Sequence, residues 1–155
     1  MAKIAILGDI HVAARNSNKI VEKWQNKFYD DLFFPYLEEH GITTVFQMGD
    51  WFDSRKWINV QSVDNMIDHI IKPSDKLGLN WHVLIGNHDI PLKNSLKGHT
   101  PGILLKQYKN FTLWDEVGTT EIDGTKFTFL PWICKANETQ SFETINQGGD
   151  ILLGH

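Results

Sequence analysis

Four short polar clusters in this chain combine the residue types that hold cations: Asp9-Ile10-His11, Gly49-Asp50-Trp51-Phe52-Asp53, Gly86-Asn87-His88-Asp89 and Gly154-His155. Carboxylate and amide oxygens with imidazole nitrogens, and no thiolate, suit hard or borderline six-coordinate ions such as manganese better than structural zinc. Asp9 and His11 stand two apart after an apolar run. In an extended backbone both side chains point the same way, at one ion. Asp50 follows a glycine that lets the chain turn sharply, and its carboxylate is the best candidate to bridge two ions. Asp53 is expected to orient neighbouring groups or cap the next turn. Asn87 offers a neutral oxygen, while Asp89 is expected to hold the ring of His88 and raise its pKa. A positioned imidazolium there stabilises charge or protonates a leaving oxygen. Two cations about 3.5–4 Å apart clamp a phosphoryl group, acidify a shared water and favour in-line displacement. Each cluster alone also reads as an ordinary turn, and Gly154-His155 gains meaning only from the other three.

Each cluster follows a segment that reads as a buried strand: Ile4–Leu7, 43–48, 80–85 and 151–153. Groups at the carboxyl ends of neighbouring strands converge on one crevice in an open α/β sheet. Between them, Ile20, Trp24, Phe28, Leu32 and Tyr36 recur every four residues, with Val21, Phe33 and Leu37 beside them. This predicts a helix over 18–40 with an apolar stripe of the kind that faces a core, closed by Gly41. Pro35 should kink it or start a second helix. A second helix is expected over 61–77, with Pro73 disturbing its last turn. A short one should run from 100 to about 108, with Thr100 as cap and Pro101 at its first position. Strands over 111–114, 119–122 and 126–130 look like a meander, with Asp123-Gly124 as a hairpin turn, and a weak helix is expected over 138–146. The order is βαβαβ passing into a meander. His82 reads as a core residue and His40 as a helix terminus, while His69 and His99 look exposed; none is expected to be a ligand. The six tryptophans read mostly as core, although Trp51 and Trp57 flank the Asp50 loop and could line a substrate groove.

The 155 residues, 41% of them hydrophobic, suffice for one core and one domain over 1–155. A net charge of −4, with the two signs intermixed, argues against a surface built chiefly to hold polyanions. Cys134 is the sole cysteine, which excludes an intrachain disulfide and points to a reducing compartment. The first apolar run is too short for a signal segment or membrane span, so a soluble, intracellular (cytoplasmic) protein with no membrane partner is expected. The final strand stops on a histidine without a cap, as though interrupted.

In their order, these clusters resemble the pattern D-x-H, G-D-x-x-D, G-N-H-[DE], G-H of the calcineurin-like metallophosphoesterases. The later G-H-x-H block is absent. The stretches 41–44, 47–56 and 130–134 are similar to the SbcD-type DNA repair nucleases, and among those to the recombination endonuclease subunits of T-even-like phages. The resemblance implies an α/β fold, a β-sandwich flanked by helices, of which this chain is the amino-terminal part. It implies a metal-dependent DNA exonuclease and endonuclease of a double-strand-break repair and recombination complex. That enzyme uses two divalent ions, manganese or magnesium, alongside an SbcC-type SMC-like ATPase, and the full-length protein is a homodimer. By motif, Asp9, His11 and Asp50 would hold one ion, and Asp50, Asn87 and His155 the other. His88, steadied by Asp89, would assist at the phosphate. Arg55 and Lys56 are candidate DNA contacts, and for a host-infecting phage the compartment is the host cytoplasm. Two other readings remain at this level: a small-molecule phosphodiesterase or phosphatase, and a non-catalytic scaffold for the ATPase. The missing block implies weak metal retention and little activity for this piece alone.

Overall fold

The structure, a computed structural model, describes residues 3–155. Four parallel strands form the first sheet in the order β1 (Ile4–Leu7), β2 (Thr44–Gln47), β3 (Asn80–Leu84), β4 (Phe111–Trp114). Ile4 pairs with Thr44, Thr44 with Asn80, and Trp81 with Phe111. Because β4 joins this sheet through a helical crossover, residues 111–114 belong to the parallel sheet and not to a meander. The second sheet has the order β5 (Gly118–Ile122), β6 (Thr125–Leu130), β7 (Ile151–Gly154). The β5–β6 hairpin turns at Asp123 and Gly124, both at positive φ as such a two-residue turn requires, and β7 runs parallel to β6.

Apolar residues on both faces of β2 and β3 make the first sheet a middle layer. Val45, Trp81 and Val83 point to the helices, where they meet Tyr29, Phe33, Leu37, Ile70 and Ile71. Phe46 and Leu84 point to the second sheet, against Phe127, Phe129 and Leu153. Between the sheets His82, Trp114 and Phe129 stack face to face, Trp114 on Phe129 at 4.4 Å between centroids. The Trp114 indole N–H donates to His82 Nδ1 at 3.2 Å, so His82 is hydrogen-bonded as expected but half-buried and outside the buried core. The expected α/β sandwich with flanking helices is present.

Helix α1 spans residues 19–40 and α2 residues 60–76. Asn18 caps α1 by accepting from Ile20 and Val21, and Asn59 caps α2 by accepting from Gln61. Neither proline breaks its helix. Each is preceded by a π-helical turn, Tyr29–Phe33 before Pro35 and Ile67–Ile71 before Pro73. In these turns Phe34 donates to the Tyr29 carbonyl and Lys72 to that of Ile67, five residues back. The widened turn makes room for a ring that would strike the carbonyl four residues behind it. Gly41 closes α1 at φ 62°. Helix α3 (Thr100–Leu104) is shorter than expected and its cap is His99, whose ring accepts from the Gly102 N–H at 3.0 Å. Helix α4 covers Glu138–Gln147.

Three expectations about exposure are reversed. His99 is buried, its Nε2 3.1 Å from Asp115. Trp51 is fully buried against Trp81 and Phe111 and lines no groove, whereas Trp24 and Trp57 are exposed. Most consequentially, the row Ile20, Trp24, Phe28, Leu32, Tyr36 faces solvent, and the core takes Tyr29, Phe33, Phe34 and Leu37 instead. His69 is half-buried and pairs with Asp30 at 2.8 Å.

Phe129→Ala should remove the keystone of the inter-sheet stack and cost about 3–5 kcal/mol, read as a lowered urea midpoint.

Candidate metal centre

The four clusters lie at the carboxyl ends of β1, β2, β3 and β7. The loops after β1 and β2 are zipped together: Ile10 and His11 donate to the Asp50 carbonyl at 3.2 and 3.0 Å, and Val12 to that of Trp51 at 2.8 Å. Asp53 returns the contact by donating to the Val12 carbonyl at 3.0 Å. The geometry is not the extended one expected for Asp9-Ile10-His11, because His11 sits at φ 49° and Asp50 at φ 53°. Non-glycine residues in this region cost about 1–3 kcal/mol each and gather where a site is over-determined by its surroundings.

The two oxygens of the Asp50 carboxylate face two different donor sets. Oδ2 lies 3.9 Å from His11 Nε2, which is 3.6 Å from Asp9 Oδ2. Oδ1 lies 3.4 Å from His155 Nε2, which is 3.1 Å from Asn87 Oδ1. Asp9, His11 and Asp50 offer ligand atoms within 4.8 Å of one another, as do His11, Asp53 and His88. Space for this convergence comes from glycines. A Cβ on Gly86 would collide with the Asp50 carboxylate, and one on Gly49 with the His155 ring. Oxygen-rich donors on both sides of one buried carboxylate suit hard divalent cations.

Positioning is done largely by backbone groups. His155 arrives from the second sheet, where its N–H donates to the Leu130 carbonyl at 3.2 Å, and its Nδ1 is 2.6 Å from the Met48 carbonyl. The His88 N–H donates to Asp50 Oδ1 at 2.7 Å. His88 Nδ1 meets the Asp53 backbone carbonyl at 2.6 Å. Asp89 therefore does not hold the His88 ring. Fully buried, its carboxylate accepts from the Phe52 and Gly86 N–H groups at 3.1 and 2.9 Å, clamping the β2 and β3 loops together. Asp53 places Oδ1 3.4 Å from His11 Nδ1 and accepts the Arg15 N–H on Oδ2 at 3.2 Å. His11 and His88 meet edge to face, 5.2 Å between centroids. Arg55 and Lys56 lie beyond Asp53, along a groove of about 690 Å³ that Ile58, Val60, Leu92 and Ile103 also line.

Two glutamines that the sequence reading passed over belong to this centre. Gln47, fully buried, donates its amide N–H to the carbonyls of Gly8 (3.2 Å) and Gly49 (2.6 Å) and accepts the Gly49 N–H. It staples together the residues immediately before Asp9 and Asp50. Gln25 on α1 donates to the Ile10 carbonyl at 2.8 Å, inside the first cluster. The visible signal for Gln47 was a polar amide at the end of an otherwise β-branched and apolar strand.

Burial and the Asp50–His155 contact set the electrostatics of the centre. Burial pushes Asp50 up, but the His155 contact and the His88 N–H outweigh it and hold the carboxyl below its usual range. The same Asp50 contact lifts the His155 imidazolium to about 9 against the effect of burial. Burial lifts Asp89 to about 6 despite its backbone donors.

The sequence model of the calcineurin-like phosphoesterases matches residues 2–155. Exonuclease subunit 1 of Enterobacteria phage T4 is 30% identical over 154 residues, 99% of this chain and 45% of that protein. The chain thus spans less than half the length of this curated relative. Among solved structures, a protein of unknown function from Aquifex aeolicus aligns with TM-score 0.44 and 16% identity, over 83% of this chain and 60% of its own.

Gln47→Leu should leave two carbonyls without their donor, lowering stability by about 2–4 kcal/mol and manganese affinity about 10–100-fold, read by urea unfolding and by titration followed with electron paramagnetic resonance. His155 is lifted above its ordinary value, so its stabilisation of the ion-free protein is present below pH 6.5 and lost as pH rises through about 9. A cation must displace that proton, so apparent affinity should climb up to about tenfold per pH unit toward 9 and then level. His155→Ala should flatten the profile.

Proposed function

Because this chain belongs to the calcineurin-like phosphoesterase family over residues 2–155, a family of divalent-metal hydrolases, we propose that it hydrolyses phosphodiester bonds in DNA. It does so as nuclease subunit of a break-repair and recombination complex. The observation that carries the two-ion form of this reading is the Asp50 carboxylate, with one oxygen toward Asp9 and His11 and the other toward Asn87 and His155. Bound there, divalent cations, manganese before magnesium, supply Lewis acidity and an acidified water. The chain's own residues supply the rest. Asp9, His11, Asp50, Asn87 and His155 would hold the ions. His88, pinned through Nδ1 to the Asp53 carbonyl, leaves Nε2 as the atom to hold or give a proton at the scissile phosphate. Asp53 orients His11, and Asp89 keeps the two loops in register.

DNA as substrate is supported by the similarity to the T4 exonuclease subunit and by Arg55 and Lys56, which follow Asp53 in the chain and line a groove, since such side chains meet phosphates without reading sequence. As partners of the full-length protein, the reading takes an SMC-like ATPase and a second nuclease subunit, working in the host cytoplasm. No helix among the described residues is long and apolar enough to cross a membrane.

With manganese present, full-length protein should degrade linear duplex DNA much faster than bis(p-nitrophenyl) phosphate, and chelation should abolish both. His88→Ala should lower turnover about 10²–10⁴-fold while manganese binding is retained. Efficient hydrolysis of the small ester with intact DNA would overturn the substrate, and unchanged turnover in His88→Ala would overturn the role of that imidazole.

A further inference from the structure

The groove bordered by Arg55 and Lys56 has two walls, and both begin at the metal centre. One is the loop after β2, where Arg55 stands two residues beyond Asp53, a span of at most about 7 Å. The other is the loop after β3 together with α3. There Pro91 stands two residues beyond Asp89, and Thr100 donates its N–H to the Asp89 carbonyl at 2.9 Å. Asp89 in turn accepts from Phe52 and Gly86, so the clamp that joins the loops of the centre also carries the groove. His99 caps α3 and lies 3.1 Å from Asp115, which anchors this second wall to the end of β4.

The lining is apolar with a purely cationic edge. Val60 is 82% exposed, Leu92 64% and Ile103 70%, and Ile58 completes the wall. Arg55 and Lys56 are its charged members and none is acidic, although acidic residues outnumber basic ones in the chain by 19 to 15. Trp57, between Lys56 and Ile58, is 82% exposed at the same rim. The volume of about 690 Å³ falls in the range of roughly 300–1,000 Å³ that accommodates small organic groups. An occupant that matches this lining carries an anion beside a flat apolar face. Duplex DNA offers the anion but keeps its base faces stacked inside, with only base edges in its grooves. An unpaired nucleotide offers both, and its base lies on apolar and aromatic side chains whatever the sequence.

We propose that this groove holds unpaired nucleotides at the end of a DNA strand. Their bases lie on the Ile58, Leu92 and Ile103 wall with Trp57 over the rim, and their phosphates meet Arg55 and Lys56. The inference rests on DNA as the substrate and adds that the strand beside the centre is held single. Binding measured without hydrolysis separates it from the hydrolytic reading.

The full-length protein with manganese is titrated with phosphorothioate oligonucleotides that resist cleavage, as a blunt duplex and as the same duplex with a short unpaired tail. The tailed duplex should bind the more tightly. Trp57→Ala should weaken its binding about 5–150-fold while Trp57→Phe retains it. Leu92→Glu should weaken it too, because it sets a carboxylate beside the phosphates. Both residues are exposed, so thermal stability should stay unchanged, and neither variant should alter binding of the blunt duplex. Arg55→Ala should lower the slope of log affinity against log salt by about 0.7. Iodouracil in the tail should crosslink to residues 55–60 or 91–104. Equal affinity for tailed and blunt duplexes, indifference of Trp57→Ala or Leu92→Glu, an equal loss on the blunt duplex, or crosslinks only elsewhere would overturn the proposal. A further chain segment or a partner protein seated in the groove would give that indifference. Tail binding as described, without cleavage of ordinary DNA, would overturn the hydrolytic reading alone.

Discussion

Asp50 is the residue on which the rest of the centre depends. Its carbonyl receives the N–H groups of Ile10 and His11, its carboxylate receives that of His88, and the two carboxylate oxygens face opposite donor sets. One residue thus ties the loops after three parallel strands and, through His155, the second sheet. It does so from a left-handed backbone conformation that costs free energy in isolation and survives because so many bonds converge on it. Gly49 and Gly86 are smooth on the sides where any side chain would push these groups apart.

Charge follows from that geometry. Asp9, Asp50, Asp53 and Asp89 crowd one end of the sandwich, and the first three share His11. Asp89 spends its charge on backbone donors. Asp53 divides between an imidazole and a backbone N–H. Asp9 and Asp50 face the imidazole of His11, and Asp50 also that of His155. A chain of net charge −4 has little general attraction for a polyanion. Under the proposed function, cations held there would invert the local sign and ion binding would precede phosphate binding, with Arg55 and Lys56 acting only at close range.

Below the loops, rigidity comes from a sandwich whose middle sheet is apolar on both faces. Aromatic stacking between the sheets and two helices that continue through prolines keep the strand ends in register. Gln47 and Gln25 carry that rigidity to the ligands, one from within β2 and the other from α1. Such partners set ligand orientation as much as the ligands themselves do.

Much of this was legible beforehand because it is local. Apolar runs ending in glycine and a polar residue fix strands and the turns after them. Asp123-Gly124 fixes a hairpin, and Asn18 a helix start. Residue types alone fixed the donor chemistry, an oxygen-rich set with imidazoles. Tertiary structure decided which groups meet. A period of four shows that Ile20, Trp24, Phe28, Leu32 and Tyr36 share a face, but not whether that face or the neighbouring Tyr29-Phe33-Leu37 row touches the sheet. Adjacency in sequence put Asp89 beside His88, yet the chain turns between them and sends one to backbone donors and the other to Asp53. His99 and Trp51 are buried, and Gln47 becomes a staple, through contacts with residues distant in sequence. Periodicity and turn chemistry are properties of a few consecutive residues, whereas burial and partnership are set by packing among segments that only the folded chain brings together.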